Sequence, residues 1–191
     1  GIIIMIHKMR LVDQAKNLIS GSISNGSFCI DLTCGNGLDT YFLAQLVGET
    51  GKVFAFDLLE EAVERTRDYL IEKQSLSRCL LFQTCHSGFH SHIPVFHKGK
   101  VSAVMMNLGY LPRGKQKIIT YPHTTEKALT KAYVWLKKGG VISILAYRGH
   151  PGGQEENLAV ERLIQKNNWK FQTEYGNKKE DSPVLYLVSK I

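Results

Sequence analysis

The sequence predicts an α/β fold, with a mostly parallel seven-stranded sheet, one antiparallel strand and helices on both faces. The first observation behind this prediction is that short apolar runs alternate with longer amphipathic ones along the chain, which is typical of strands joined by helical crossovers. The second is that only "GNKKEDSP" separates the last two apolar runs. This is too short for a crossover, so one of these two strands is expected to run antiparallel. The 191 residues fit a single domain over 1–191.

The individual elements follow from apolar spacing and from capping residues. Strands are predicted at 27–32, 52–57, 79–84, 100–107, 141–147, 169–175 and 184–190. Helices are predicted at about 8–20 and at 38–47, 60–73, 124–138 and 154–168. The helix over 124–138 is expected to begin with a threonine cap and to end in lysines before Gly139 and Gly140. The first helix is expected to pack against the edge of the sheet.

Composition and charge narrow the class of protein. With 43% hydrophobic and 21% charged residues, the chain is typical of a soluble globular protein rather than a disordered one. A net charge of +7 suits a polyanionic partner such as nucleic acid, although many basic proteins bind none. Four cysteines without a C-x-x-C pair fit the reducing cytoplasm. No apolar run is long enough to span a bilayer, and "GIIIMI" is too short for a signal-peptide core, so no membrane association is expected.

In such sheets ligands bind beyond the carboxyl ends of the strands, and the first two strand ends fit a nucleoside cofactor. In "DLTCGNGLDT", Gly35 and Gly37 allow a tight turn, but Thr40 stands where a dinucleotide fingerprint has its third glycine. Asp31 favours a cationic ligand, and Asp57 is placed to accept both hydroxyls of a ribose. A positively charged nucleoside without a diphosphate describes S-adenosylmethionine. The alternatives are an ordinary glycine turn and a helix N-cap at Asp57.

The third strand is followed by a histidine-rich segment, "QTCHSGFHSHIPVFH". His86 is placed to line an adenine pocket, and a plain surface histidine is the alternative. The spacing of the cysteine and the histidines matches no familiar zinc pattern, so no metal is expected.

The fourth strand ends in "MMNLGYLP", which has the spacing of the Asn-Pro-Pro-Tyr loop of amine-methylating enzymes. Asn107 and a backbone carbonyl of this loop can accept the two N–H bonds of an exocyclic amine and aim its lone pair at a methyl group. Tyr110 can stack on the flipped base. Leu108 and Gly109 replace the two prolines. The alternative is a simple turn, since Asn and Gly are both turn formers.

The loop after the fifth strand, "AYRGHPGGQEEN", supplies further candidates. Tyr147 and His150 are placed to contact the substrate, and His150 is one candidate to take its proton. Arg148 in this loop, together with Arg113 and Lys115 after the fourth strand, can hold the phosphates of a nucleic acid. A glycine-rich connector and a solvated basic loop are the alternatives.

Taken in order, these motifs resemble those of the bacterial tRNA 5-aminomethyl-2-thiouridine methyltransferases. The resemblance rests on "DLTCGNGLDT", "FAFDL", the histidine after the third strand, "NLGYLP", the pattern T-x-P-x-T-T at 120–125 and the pattern Y-x-GH-x-x-G-x-x-E at 147–156. It covers nearly the whole chain from about residue 10. The departure is "GNKKEDSP", where the family has an Asn-Gln-x-Asn-like stretch.

The resemblance implies a Rossmann-like class I methyltransferase that uses S-adenosylmethionine to convert the 5-aminomethyl group of a tRNA wobble uridine into methylaminomethyl. Its partner would be the tRNA anticodon stem-loop, and a homodimer is one expected assembly. The cofactor-binding residues would be Asp31, Thr33, Gly35, Asn36, Gly37, Asp39, Thr40, Asp57, His86 and Asn107. The catalytic residues would be Asn107, Tyr110 and His150. The substrate-binding residues would be Leu108, Gly109, Tyr110, Arg113, Lys115, Tyr147, Arg148 and His150.

Three rival hypotheses remain at this point. The same fold can methylate an rRNA base or another amine, or the chain can be a non-catalytic RNA-binding protein of this fold. A nicotinamide dehydrogenase is the most distant rival because Thr40 replaces the third glycine of the fingerprint.

Overall fold

A single mixed sheet forms the centre of the molecule. The computed structural model describes residues 9–109, 121–177 and 180–191. The strands are β1 (Phe28–Asp31), β2 (Lys52–Asp57), β3 (Cys79–Gln83), β4 (Val101–Leu108), β5 (Leu136–Ala146), β6 (Lys170–Tyr175) and β7 (Val184–Ser189). They lie in the order β3-β2-β1-β4-β5-β7-β6. Only β7 runs antiparallel to its neighbours, β5 and β6, which confirms the predicted fold class.

Helices cover both faces of the sheet. They are α1 (Leu11–Ser20), α2 (Leu38–Val47), α3 (Glu60–Glu72), α4 (Pro122–Trp135) and α5 (Gly153–Lys166). Successive strand residues point to opposite faces, so Val53 packs with Leu43 of α2 whereas Phe54 belongs to the core that includes Leu129 of α4 and Val160 of α5. Helices α1 to α3 therefore lie on one face, and α4 and α5 on the other.

The order of the strands fixes where a ligand can bind. β1 lies between β2 and β4, so the chain winds outward in opposite directions from this point. A crevice opens at such a switch point beyond the carboxyl ends of the strands. The sequence motifs that end β1, β2 and β4 are thereby brought to one edge of the sheet.

The boundary between α4 and β5 differs from the prediction. The helix ends at Trp135, and the strand already begins at Leu136, so Lys137 and Lys138 lie in β5 and not in the helix. Leu136 pairs with Val101 but Val141 pairs with Ala103, so the residues between them bulge out of register. The left-handed Gly139 (φ +81°) makes this bulge possible. Local sequence resembles a helix stop, but pairing with β4 decides the structure.

The start of α4 also differs from the prediction. The helix begins at Pro122, with Tyr121 as the extended residue before it, and no side chain caps it. Proline suits this first position because its missing N–H would have no partner there. The threonine hydroxyl of Thr124 instead donates to the carbonyl oxygen of Tyr121.

The prediction that the first helix packs at the sheet edge is wrong. Leu11 and Ala15 of α1 pack against Leu145 of β5 and Leu185 of β7, which are interior strands. β6 lies outside β7 and forms the edge instead. Because Leu11 contacts the carboxyl-terminal part of β5, the first turns of α1 lie beside the crevice. In the described ranges no helix has the length and apolar character needed to cross a membrane.

Candidate active site

A cleft of about 730 Å³ opens at the carboxyl ends of the strands. This volume is within the usual range for a small-molecule site. Its walls come from the loop after β1, the end of β2, the end of β4, the end of β5, the first turns of α1 and the segment before β7. The cleft therefore brings together segments that are far apart in the sequence.

The loop after β1 depends on two glycines with left-handed backbone conformations. Gly35 has φ +53° and Gly37 has φ +87°, values that other residues adopt only with strain. A Cβ on Gly37 would also lie 3.1 Å from the Cα of Thr66 in α3. The close approach of this loop to α3 thus requires glycine at position 37. Asn36, exposed at the tip of the loop, accepts a hydrogen bond from Nε of Arg65 at 3.1 Å.

Asp57 joins the loop after β1 to the start of α3. Its Oδ2 accepts from the backbone N–H of Gly35, and its Oδ1 accepts from the N–H of Leu59, each at 3.0 Å. The capping position of α3 is Leu59 itself, without a side-chain cap bond. Asp57 lines the cleft, and each of its oxygens retains acceptor capacity for a hydroxyl group.

Asp31 lies behind the wall of the cleft rather than on it. The side chain is fully buried, accepts from the hydroxyl of Thr40 at 2.7 Å and from the N–H of Thr33 at 3.1 Å. Burial, followed by repulsion from the Asp39 carboxylate, raises the pKa of Asp31 from 3.8 to about 7. Thr40, at the position of the missing third glycine, therefore holds Asp31 through its hydroxyl. Asp39 is the acid of this loop that reaches the cleft.

His86 lies on the wall of the cleft and is almost completely buried. Burial lowers the pKa of His86 to about 4, so the imidazole is neutral at physiological pH. A neutral aromatic ring suits an uncharged ring of a ligand. The surface alternative for His86 is therefore wrong. Within the described ranges, no three His, Cys, Asp or Glu side chains are grouped to hold a metal ion.

Asn107 lies on the cleft wall where β4 ends. Its backbone N–H donates to the hydroxyl oxygen of Thr33 at 2.8 Å, and its side-chain Nδ2 donates to Oδ2 of Asp39 at 2.8 Å. The first contact ties Asn107 to the loop after β1, and the second ties it to the start of α2 that follows this loop. The predicted amine site and the predicted cofactor loop are thus one connected structure.

The residues that follow Asn107 have separate positions. Leu108 is buried in the hydrophobic core, so the prediction that it contacts substrate is wrong, because strand alternation turns it away from the cleft. Gly109 lines the cleft with φ +72°. A Cβ on Gly109 would overlap the imidazole of His150, which packs directly behind it. His150 is therefore not on the wall, and its Nε2 has no hydrogen-bond partner within the described residues.

In the loop after β5, one residue lines the cleft and the next holds a neighbouring segment of the chain. Tyr147 lines the cleft, and its N–H donates to the carbonyl oxygen of Leu108. Arg148 instead donates from Nε to the carbonyl oxygen of Ser182 at 2.6 Å. The prediction of a phosphate contact does not fit this arrangement, because the guanidinium fixes the segment before β7 onto the loop. Tyr110, Arg113 and Lys115 lie outside the described residues.

Sequence reasoning missed two parts of the cleft. The first is α1, from which Lys16 places Nζ 3.7 Å from Oδ1 of Asp39. The second is Tyr121, whose side chain lines the cleft and is 57% exposed. Apolar spacing showed which face of α1 is buried but not that it lies over β5. Tyr121 stands at a variable position of the T-x-P-x-T-T pattern, so the pattern did not indicate that this residue lines the cleft.

This fold and this cleft define the class of Rossmann-like methyltransferases. Residues 53–189 match the family model described as "Putative rRNA methylase". This match spans well over half of the chain, and the chain belongs to this family.

Several relatives are similar over long ranges. A protein of Arabidopsis thaliana named "tRNA (mnm(5)s(2)U34)-methyltransferase, chloroplastic" is 41% identical over 147 residues, which cover 73% of this chain and 53% of that protein. The chain thus spans about half the length of this relative. A crystal structure of an rRNA-methylase-like protein from Clostridium thermocellum has a TM-score of 0.88 at 35% identity, covering 96% of this chain and 98% of that one. A crystal structure from Streptococcus mutans, described as "a putative methyltransferase" in complex with SAH, has a TM-score of 0.82 at 29% identity, covering 96% of this chain and 99% of that one.

Proposed function

We propose that the chain methylates an exocyclic amine in RNA with S-adenosylmethionine as the methyl donor. The most specific substrate we propose is the 5-aminomethyl group of the wobble 2-thiouridine in tRNA, which would become 5-methylaminomethyl-2-thiouridine. The observation that carries this proposal is the position of Asn107, whose amide lies in the same cleft as the glycine loop and Asp57. The name of the Arabidopsis relative supports the same substrate.

The cleft fits S-adenosylmethionine. Asp57 has acceptor capacity for two ribose hydroxyls, and the neutral His86 with the apolar Leu58 and Ala62 suits a purine ring. Asp31 and Asp39 place carboxyl groups behind and beside the loop after β1, which suits a cationic ligand. When bound, the cofactor supplies a methyl group on a positively charged sulfur.

The residues at the end of β4 would position the acceptor amine. The carbonyl oxygen of the Asn107 amide accepts one amine N–H, and a second acceptor in this loop fixes the direction of the lone pair. Tyr147, which also lines the cleft, offers an aromatic surface for the base. An alkylamine is largely protonated at neutral pH, so one proton has to leave before transfer. Tyr147 on the cleft wall or bulk water can receive it, whereas His150 packs behind Gly109 and lies off the wall.

We also propose an RNA partner, a cellular location and a domain organisation for the chain. A net charge of +7 favours association with an RNA backbone, and we propose the anticodon stem-loop of tRNA as the part that enters the cleft. A tRNA substrate and four free cysteines fit the cytoplasm. We further propose that residues 1–191 form one domain. A homodimer stays a prediction, which analytical ultracentrifugation tests.

A second candidate substrate is an rRNA base amine, which the description of the family favours. Asn107 would orient this amine equally well, because its amide oxygen can accept from any exocyclic amine. The two candidates differ in the RNA that docks on the protein, and only a substrate comparison separates them.

The purified protein tests this proposal. Calorimetry with S-adenosylhomocysteine is expected to show binding, and radiolabelled methyl groups are expected to enter bulk tRNA that carries 5-aminomethyl-2-thiouridine. Incorporation into rRNA alone would select the second candidate. Absence of binding, or incorporation only into protein, would contradict an RNA methyltransferase.

A further inference from the structure

The side-chain amide of Asn107 has two orientations with opposite chemistry. Its oxygen and nitrogen atoms occupy nearly the same volumes, but the oxygen accepts hydrogen bonds and the NH₂ group only donates them. An amine substrate needs an acceptor in order to turn its lone pair away from Asn107. With the NH₂ group toward the cleft, the amide would instead donate to the lone pair of the amine and block its attack on the methyl group. The orientation of this amide therefore decides whether an amine is held.

One carboxylate contact selects between these orientations. Nδ2 of Asn107 donates to Oδ2 of Asp39 at 2.8 Å, and Asp39 is only 8% exposed. An ionised carboxylate only accepts hydrogen bonds, so it requires the NH₂ group on its own side. The backbone of Asn107 is fixed separately by its N–H bond to Thr33. The amide oxygen is consequently left on the side away from Asp39.

The second oxygen of Asp39 has a different partner. Nζ of Lys16 lies 3.7 Å from Oδ1, and the side chains of Lys16 and Asp39 are 22% and 10% exposed. Asp39 also stands in the first turn of α2, where the helix dipole favours a negative charge. Asp31 is a second carboxyl group close to Asp39, and repulsion between the two acts against these two features. The three elements α1, α2 and β4 meet at this one carboxylate.

We propose that Asp39, with Lys16 on its other oxygen, is the positioning residue that holds the Asn107 amide with its carbonyl oxygen available to the acceptor amine. That the acceptor is an amine rests on the proposed function, whereas the orientation of the amide does not. Asp39 acts through Asn107 and not on the reacting atoms. Lys16 takes part because its Nζ lies 3.7 Å from the other oxygen of Asp39 and attracts that oxygen, which leaves Oδ2 for Asn107.

The variant Asp39→Asn gives this proposal an unusual test. An asparagine has one carbonyl oxygen, and Lys16 would attract it, which turns the new NH₂ group toward Asn107. Asn107 would then reverse and present its own NH₂ group to the cleft. We expect kcat to fall by about 10- to 100-fold, in line with the loss of a charge-assisted hydrogen bond. The KM for S-adenosylmethionine should rise by a smaller factor than kcat falls, because the variant removes one negative charge beside the cationic cofactor but leaves Asp57 and the glycine loop intact.

Removal of the lysine should then restore activity. In Lys16→Met with Asp39→Asn, nothing attracts the carbonyl oxygen of residue 39 away from Asn107, so this oxygen can accept from Nδ2 again. We expect kcat of the double variant to exceed that of Asp39→Asn by about fivefold or more. Lys16→Met alone should lose less than about threefold. If Asp39 serves only to stabilise the fold, the double variant will be as slow as Asp39→Asn or slower, which would overturn the proposal.

A measurement without substrate separates this proposal from the proposed function. The side-chain amide of Asn107 gives one ¹⁵N–¹H pair of signals, assigned by its loss in Asn107→Ala. We expect these signals to move in Asp39→Asn and to return toward their wild-type position in the double variant. Unchanged signals would overturn the proposal even in an active enzyme. The expected shifts without any methylation of RNA amines would uphold it while contradicting the proposed function.

The matched control is Asp68→Asn, which removes one carboxylate from an exposed position of α3. It should leave kcat and the Asn107 signals unchanged. Thermal unfolding and S-adenosylhomocysteine affinity of every variant verify that the fold and the cofactor loop are intact. Wild-type kcat in Asp39→Asn, in a protein with wild-type unfolding, would also overturn the proposal.

Discussion

The side-chain amide of Asn107 donates to the carboxylate of Asp39 over 2.8 Å, and this contact joins the end of β4 to the first turn of α2. The hydroxyl of Thr33 accepts from the backbone of Asn107 on the same side. Asn107 is thus held at its side chain by the start of α2 and at its backbone by the loop after β1. A methyl acceptor bound by Asn107 would therefore have a fixed position relative to a ligand of that loop.

Replacement of Asn107 by Ala should abolish most turnover and leave cofactor binding nearly intact. The change removes the proposed acceptor of the amine N–H but touches neither Asp57 nor the glycine loop. We expect kcat to fall by about 100-fold or more, since misplacement of a reacting group has costs of this size. Steady-state kinetics and calorimetry with S-adenosylhomocysteine measure the two effects. Asn167→Ala, an exposed amide at the end of α5, is the matched control, and full activity of Asn107→Ala would contradict the assignment.

Gly109→Ala should destabilise the protein more than alanine does at a left-handed glycine that has free space around it. Gly109 has φ +72°, and a Cβ there would overlap the imidazole of His150. Gly99 has a similar φ of +78° with no atom close to the position of a Cβ. We expect Gly99→Ala to cost about 1 kcal/mol from backbone strain alone and Gly109→Ala about 2–4 kcal/mol.

Urea unfolding of these two variants measures the difference in free energy. Adding His150→Ala to Gly109→Ala should recover the part of the lost unfolding free energy that comes from the overlap with the imidazole. Equal losses in the two glycine variants would show that His150 does not pack behind Gly109 in solution.

Asp57→Ala should weaken cofactor binding. Its carboxylate organises the loop through the N–H groups of Gly35 and Leu59, and it offers acceptors for ribose hydroxyls. We expect the Kd for S-adenosylhomocysteine to rise by about 10- to 100-fold, as charged hydrogen bonds are lost. Glu60→Ala, three residues along at an exposed position, should leave the Kd unchanged. If the Kd of Asp57→Ala for S-adenosylhomocysteine stays within twofold of the wild-type value, Asp57 does not bind the ribose hydroxyls.

Asp31→Asn should reduce the dependence of stability on pH. Burial and the nearby Asp39 raise the pKa of Asp31 from 3.8 to about 7, so between about pH 4 and pH 7 the folded state holds a proton that the unfolded state has lost. The free energy of unfolding contributed by this group therefore falls as pH rises through this window, by a few kcal/mol in all. Asparagine does not titrate, so the unfolding free energy of Asp31→Asn should lack this decline with pH.

Urea unfolding at pH 5 and at pH 8 gives the free energy of unfolding at each pH, and the difference between the two values measures the contribution of Asp31. Asp68→Asn, on the surface of α3, is expected to follow the wild-type change. An Asp31→Asn variant that loses as much stability as wild type between these pH values would show that Asp31 is already ionised at pH 5.

Sequence patterns predicted those parts of the structure that depend on neighbouring residues. The glycines at 35 and 37 and the strand endings at Asp57 and Asn107 were readable because each motif is local. The lysines before Gly139 resemble a helix end locally, but pairing with Val101 draws them into β5. Lys16 was missed for the same reason, since only the packing of α1 on β5 brings it to Asp39.

The most direct test of the central claim is nucleoside mass spectrometry of tRNA from cells that lack this protein, complemented with wild type or with Asn107→Ala. We expect 5-aminomethyl-2-thiouridine to accumulate in the deleted cells. Wild type should convert it into 5-methylaminomethyl-2-thiouridine, and the Asn107→Ala protein should not. An unchanged nucleoside profile in the deleted cells, or full conversion by Asn107→Ala, would contradict the claim.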